Sequence, residues 1–204
     1  HSKVNTTPHL KMKPQEVIIN KRKFYQVSHI CAGTSHSVAL LNSGEVYTWG
    51  VGMHGRLGHG DNSDQYTPSL IKTLADAKIK IKSVATATTH TMLLSNYGRV
   101  YGCGLNDHGQ VGCDDTAATS ITVLAPLPLS KDILPLHERV LSVTCGEKST
   151  ILLTNASQDN IIGLGDMNHI EITKGATGLL LCSDGDGAYV YHHKSEDRSN
   201  EQKE

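Results

Sequence analysis

The chain has 204 residues, enough to bury the core of one large domain, and its formal net charge of −1 gives no general pull toward nucleic acid or anionic lipid. Apolar residues make up 38% and charged residues 19%, as in ordinary globular proteins, while a single Trp and a single Phe exclude an aromatic-rich core. No apolar run approaches the ~18–20 residues a membrane-spanning helix needs.

Residues 1–23 carry Lys3, Lys11, Lys13, Lys21, Arg22 and Lys23 against Glu16 alone. They read as a basic terminus or as the tail of a preceding unit, because Thr7-Pro8-His9-Leu10 is similar to Thr67-Pro68-Ser69-Leu70 further on. That similarity, with a first residue that is His, leads us to expect a processed or incomplete chain. No charged-then-apolar leader opens it.

Strand-type alternation at Tyr25, Val27 and His29 leads to Gly33, and 37–41 is an apolar run of buried-strand length. Asn42-Ser43-Gly44 is a tight-turn signal, and 45–49 is the return strand. A glycine-rich loop follows over 50–60, and Pro68 marks an edge strand or a strand beginning. The chain then repeats itself. HSVALLNSGEVYTWGVGMHGRLGHG (36–60) aligns without a gap to HTMLLSNYGRVYGCGLNDHGQVGCD (90–114), among them His36/His90, Gly44/Gly98, Tyr47/Tyr101, Gly50/Gly104 and His54/His108.

The second unit places strands over 81–87, 91–94, 100–103 and 121–124, with its turn at Asn96-Tyr97-Gly98. A third opens over 140–146 and 150–153, then loosens at 156–160, and nothing after Gly165 matches the glycine loop. Residues 178–191 read as one more hairpin, and the charged stretch from Lys194 reads as disordered. The divisions are therefore 1–23, repeat one over 24–80, repeat two over 81–139, a degenerate repeat three over 140–165, a vestigial hairpin within 166–193 and a polar tail over 194–204.

No segment sustains a 3.6-residue apolar period, and short strands at roughly ten-residue spacing read as all-β. Each unit supplies about four strands, a sheet that cannot bury both faces alone, and radial stacking solves that. Cys31, Cys103, Cys113, Cys145 and Cys182, odd in number and without CxxC, read as small buried apolar residues in a reducing compartment.

Four anchors resemble the regulator of chromosome condensation repeat: 30–33, 36–40, 44–50 and 55–58, that is ICAG, HSVAL, GEVYTWG and GRLG. The resemblance covers about residues 24–165. It implies a propeller normally of seven blades. About three four-stranded blades are present here, so the expected fold is a partial, incomplete β-propeller. Its missing blades would come from the same longer chain or from another subunit.

Motifs that suggest chemistry are absorbed by the repeat. Gly50-Val51-Gly52-Met53-His54-Gly55 matches GxGxxG but is followed by His59-Gly60-Asp61-Asn62 rather than a helix, so the glycines serve a turn. His36 and His90 fall in different blades, which keeps them from converging on one metal; they are expected to hydrogen-bond backbone at a strand start. Ser35-His36-Ser37 lacks a nucleophile elbow, and Asp184-Gly185-Asp186-Gly187 lacks the rest of a calcium loop. The reading is a non-enzymatic chain without cofactor or metal.

The expected function is a protein-interaction module within a larger regulatory protein, intracellular and either cytoplasmic or nuclear, with no direct nucleic-acid contact. The alternative implied by the resemblance is guanine nucleotide exchange on a small Ran-like GTPase, through the short loop between the repeat's Gly and His. The matching positions are Thr34 and Ser35, Thr88 and Thr89, Glu147 and Lys148, of which only Glu147 is acidic. Further partner-contact candidates come from the glycine loops: His54, Arg56, His108 and Gln110. The family's plant ultraviolet-B photoreceptor branch needs clustered tryptophans, and Trp49 is alone.

Overall fold

A computed structural model describes residues 26–113, 118–129, 138–155 and 161–167, residues 19 and 134, and the backbone of 180–181 and 189–190. The expectations for residues 1–23, the Thr7-Pro8 similarity, the 156–160 turn and the polar tail lie outside them. Three antiparallel sheets follow one another along the chain. The first holds β1 (Val27–Ala32), β2 (His36–Leu41), β3 (Val46–Gly50) and β4 (Gln65–Leu70) in sequential order. The second repeats this with β5 (Ile81–Thr86), β6 (His90–Ser95), β7 (Val100–Leu105) and β8 (Ser120–Pro126). The third has three strands among the described residues, β9 (Val140–Cys145), β10 (Ser149–Thr154) and β11 (Ile161–Gly165), one fewer than the expected four. A short ladder, β12 (Leu180–Leu181) against β13 (Tyr189–Val190), lies within the segment read as a hairpin.

The local causes are those of any meander. Gly44 and Gly98 turn the chain at φ +80° and +79°, placing His36 opposite Gly50 and His90 opposite Gly104. Pro68 lies in β4, a sheet edge, where its missing N–H breaks no ladder bond. A bulge falls at the same place in each first hairpin, between Val27 and His29 and again between Ile81 and Ser83. One element lay outside the sequence expectation: the five-residue helix α1 (Lys72–Asp76), too short to show a period, which turns the chain from β4 toward β5 and buries Leu74.

The sheets bury themselves against each other. One apolar seam packs Val38, Leu40 and Val46 of the first sheet, with Ile71 and Leu74, against Ile81, Val84, Leu93, Tyr101 and Cys103 of the second. The next packs Met92, Leu94 and Val100 against Val140, Val143, Cys145 and Leu152 of the third. Because β-strand side chains alternate, the second sheet spends one face on the preceding seam and one on the following. This is an all-β, incomplete propeller, each blade relying on its neighbours for burial.

The cysteines follow the same logic. Cys103 and Cys145 are buried, and burial pushes the Cys103 thiol up to about 12. Since the thiolate is the reactive form, Cys103 should stay unlabelled by an alkylating reagent in the native protein and react only after denaturation. Half-buried Cys113 should label before it; mass spectrometry of labelled peptides reads the order, and early Cys103 labelling would contradict this seam.

Candidate partner-binding face

The two sets of loops singled out from sequence share one end of the sheets. The loop after β1 turns at 33–35, and the chain leaving β3 runs beside it, because the Val51 N–H donates to the Ser35 carbonyl at 2.8 Å. The second blade does the same, Leu105 N–H to Thr89 O at 3.0 Å, and the third again, Asp166 N–H to Lys148 O at 2.9 Å. Gly50, Gly104 and Gly165 make this approach possible: a Cβ there would meet the Ser35, Thr89 and Lys148 carbonyls at 2.4, 2.4 and 2.3 Å. Gly165 thus performs the repeat's structural task although no recognisable glycine loop follows it in sequence. The Asn42–Gly44 and Asn96–Gly98 turns lie at the opposite end.

On this face Thr34, Ser35, Glu147 and Lys148 are exposed, while Thr88 and Thr89 are half-buried. Met53 is exposed beside His54, which is half-buried and takes φ +62° in the 3-10 turn over Met53–Gly55. The loop after β7 is built by its own polar groups. The Val111 N–H donates to Asn106 Oδ1 at 2.9 Å, and Gln110 Nε2 donates to Asp107 Oδ1 at 3.1 Å. Exposed His108 lies 2.8 Å from Asp107 Oδ1 through Nδ1, and this hydrogen bond holds the Asp107 carboxyl below its ordinary range.

Two of the candidates are buried rather than displayed. Arg56 donates through Nε to the Met53 carbonyl at 2.9 Å and through Nη1 to the Thr88 carbonyl of the next blade at 3.1 Å. Gln110 is fully buried, and both ends of its amide are engaged within its own loop. The glycine-loop set is therefore divided between His54 and His108, which have surface, and Arg56 and Gln110, which have almost none.

Each histidine at a strand start, expected to bond backbone, meets a hydroxyl of the next blade, and His90 has a backbone bond at Ser149 as well. His36 Nε2 lies 2.9 Å from Thr91 Oγ1 in the second blade, and Thr91 donates to the Arg56 carbonyl of the first at 2.8 Å. One blade on, His90 Nε2 lies 3.0 Å from Thr150 Oγ1, and Thr150 donates to the Gln110 carbonyl at 2.8 Å. A hydroxyl has one proton, and here the carbonyl takes it. The imidazole must therefore donate through Nε2–H, leaving Nδ1 as the bare nitrogen. Nδ1 is indeed the buried ring atom without a partner in both histidines. Burial first, then Arg56, lowers the His36 pKa to about 4; burial first, then His36, lowers His90 to about 4 against an opposing backbone bond at Ser149. Both rings are thus neutral latches between blades. The signal in sequence is the hydroxyl that follows each position, Ser37, Thr91 and Thr150, which identity matching passes over.

The repeat itself recurs in known proteins. The signature described as the Regulator of chromosome condensation (RCC1) repeat matches residues 43–94 and 97–153, and a second signature of the same description matches 27–55 and 81–110. The human E3 ubiquitin-protein ligase HERC2 is 32% identical over 150 residues, 73% of this chain and 3% of that protein. The ultraviolet-B receptor UVR8 of Arabidopsis thaliana is 39% identical over 105 residues, 51% of this chain and 23% of that one. Among solved structures, human WBSCR16 superposes with a TM-score of 0.60 at 26% identity, over 69% of this chain and 33% of its own. The chain thus spans a small part of these relatives.

Proposed function

The chain belongs to the regulator of chromosome condensation (RCC1) repeat family, and from that premise we propose that it is a non-catalytic interaction segment presenting one loop face to a protein partner inside the cell. The observation that carries this reading is the threefold register of the face. Loops 33–36, 87–90 and 146–149 are each tied by the same backbone bond to the chain leaving the third strand of its blade. Latched blades hold these loops at fixed spacing, which suits recognition of an extended protein surface. Thr34, Ser35, Thr88, Thr89, Glu147, Lys148, His54 and His108 are the proposed contacts. A chain of net charge −1 with mixed charge on this face favours protein over nucleic acid.

Photo-crosslinking residues at Thr34 and Glu147, compared with the same residue at Asn42 and Tyr97 on the opposite end, test the proposal in cells. Adducts to one discrete protein from the loop face alone are the expected result. Equal adducts from both ends would contradict it. The alternative, nucleotide exchange, is read by release of fluorescent GDP from a Ran-type GTPase. We expect the intrinsic release rate to be unchanged by this chain, because Glu147 is the sole acidic residue among the matching positions. Accelerated release, abolished by Glu147→Ala, would replace the platform reading with exchange.

A further inference from the structure

The geometry points to a cleft on the first blade that takes the phosphate group of a phosphate monoester. It is independent of the loop-face reading, because none of the proposed contact residues lines it. The cleft, of about 390 Å³, opens where the edge strand β4 runs into α1 beside the end of the glycine loop. His59, Gln65, Ser69, Leu70, Lys72 and Thr73 line it. Local structure brings these residues together. His59 is held against the second blade by a bridge to Val123, and its Nε2 lies 3.0 Å from Thr48 Oγ1. The helix begins at Lys72, two residues after β4 ends, so Lys72 and Thr73 come back beside Gln65 and Ser69 of the strand.

The acceptors of this lining are engaged, and its donors are left over. Ser69 Oγ donates to Gln65 Oε1 at 2.9 Å and lies 3.1 Å from the Thr67 carbonyl, so the Gln65 amide keeps its Nε2 hydrogens to offer. Thr48 gives its single proton to the Leu57 carbonyl at 2.8 Å. The His59 ring therefore donates to Thr48 through Nε2–H, and Nδ1 is where a further proton would go. Among the described residues, Lys72 Nζ and Thr73 Oγ1 have no hydrogen-bond or ion-pair partner, and no carboxylate lines the cleft. Asp61, the acidic group felt by His59, accepts the Ser63 N–H at 2.9 Å and stays outside the lining. An ammonium, an amide and a hydroxyl with unclaimed protons, beside an imidazole able to charge, complement a dianion with several acceptor oxygens, and phosphate is that group. Leu70 adds an apolar wall, and the volume falls in the range of small-molecule sites, roughly 300–1,000 Å³, so the phosphate arrives on an organic group.

His59 reports on occupancy. Burial first lowers its pKa, Asp61 and a backbone bond at Thr48 oppose that, and Lys72 lowers it further. A bound phosphate offsets Lys72 and adds negative charge, so it should raise the His59 pKa. The test titrates glycerol phosphate into the full chain and follows the His59 ring resonances. Saturable shifts and a raised His59 pKa are expected. Lys72→Glu should weaken binding about tenfold or more and Gln65→Leu severalfold. Lys78→Glu makes the same charge change at an exposed position outside the lining and should leave binding unchanged. A phosphothreonine peptide that binds more tightly than glycerol phosphate would support the site and put the monoester on a protein; the reverse order would support it and make the ligand a free metabolite. Shifts that do not saturate, a His59 pKa unmoved by the ligand, or equal losses in Lys72→Glu and Lys78→Glu would overturn the proposal.

Discussion

Alanine at Gly104 is expected to destabilise the protein by about 3 kcal/mol or more. Gly104 takes φ +116°, a conformation other residues rarely adopt, and its Cβ would stand 2.4 Å from the Thr89 carbonyl and 2.5 Å from the His90 Cα. Both obstacles are backbone, so neither can rotate away. Relief requires parting β7 from the 87–90 loop, which breaks the Leu105–Thr89 bond and with it the spacing of the proposed contact face. Gly109 is the control. Its φ is +79° but no atom lies within 4 Å of an added Cβ, so alanine there should cost about 1 kcal/mol for conformation alone. Urea unfolding of the two variants reads the difference; equal losses would mean that the close approach of Gly104 is not rigid.

The second large effect is acid lability. His36 and His90 have folded pKa values near 4 against an ordinary 6.5. The native state therefore leaves them neutral where the unfolded chain already binds protons. Stability is complete above pH 6.5, declines as pH falls through that value, and the whole contribution is gone below about 4. The displacement of each ring corresponds to roughly 3 kcal/mol at the bottom of the window, since one unit is about 1.4 kcal/mol. The geometry explains why. Protonation would place a second N–H on the buried Nδ1, where no acceptor meets it. Urea midpoints measured across this window should rise with pH. His90→Gln should lower stability at neutral pH and flatten the slope by about half. A slope unaltered by His90→Gln would assign the acid response elsewhere.

Much of the fold is legible in the residues because its determinants are local. Asn42-Ser43-Gly44 and Asn96-Tyr97-Gly98 each announce a reversal, and the apolar runs beside them are strand-length, so hairpins follow from near neighbours. The latch is another matter. His36 meets a hydroxyl 55 residues away and His90 one 60 residues away, and that hydroxyl is Ser in one copy and Thr in the others. Nothing in the sequence fixes which atom of which blade a repeated histidine will face. Arg56 and Gln110 were legible as loop residues but not as buried ones, since polar side chains on a glycine-rich loop ordinarily meet water. Their burial serves the seam, with backbone carbonyls offered to the next blade. Gly165 shows the converse: it keeps its task against Lys148 where the surrounding motif has been lost.

Locked blades are what turn three loops into one surface, so the state of the latch is the account's most direct test. Long-range proton–nitrogen correlation spectra of the imidazole rings, recorded at a pH between about 4 and 6.5, report tautomer and charge for each histidine separately. The account predicts that His36 and His90 are both neutral and carry their proton on Nε2. An imidazolium, or a proton on Nδ1, in either ring would contradict it.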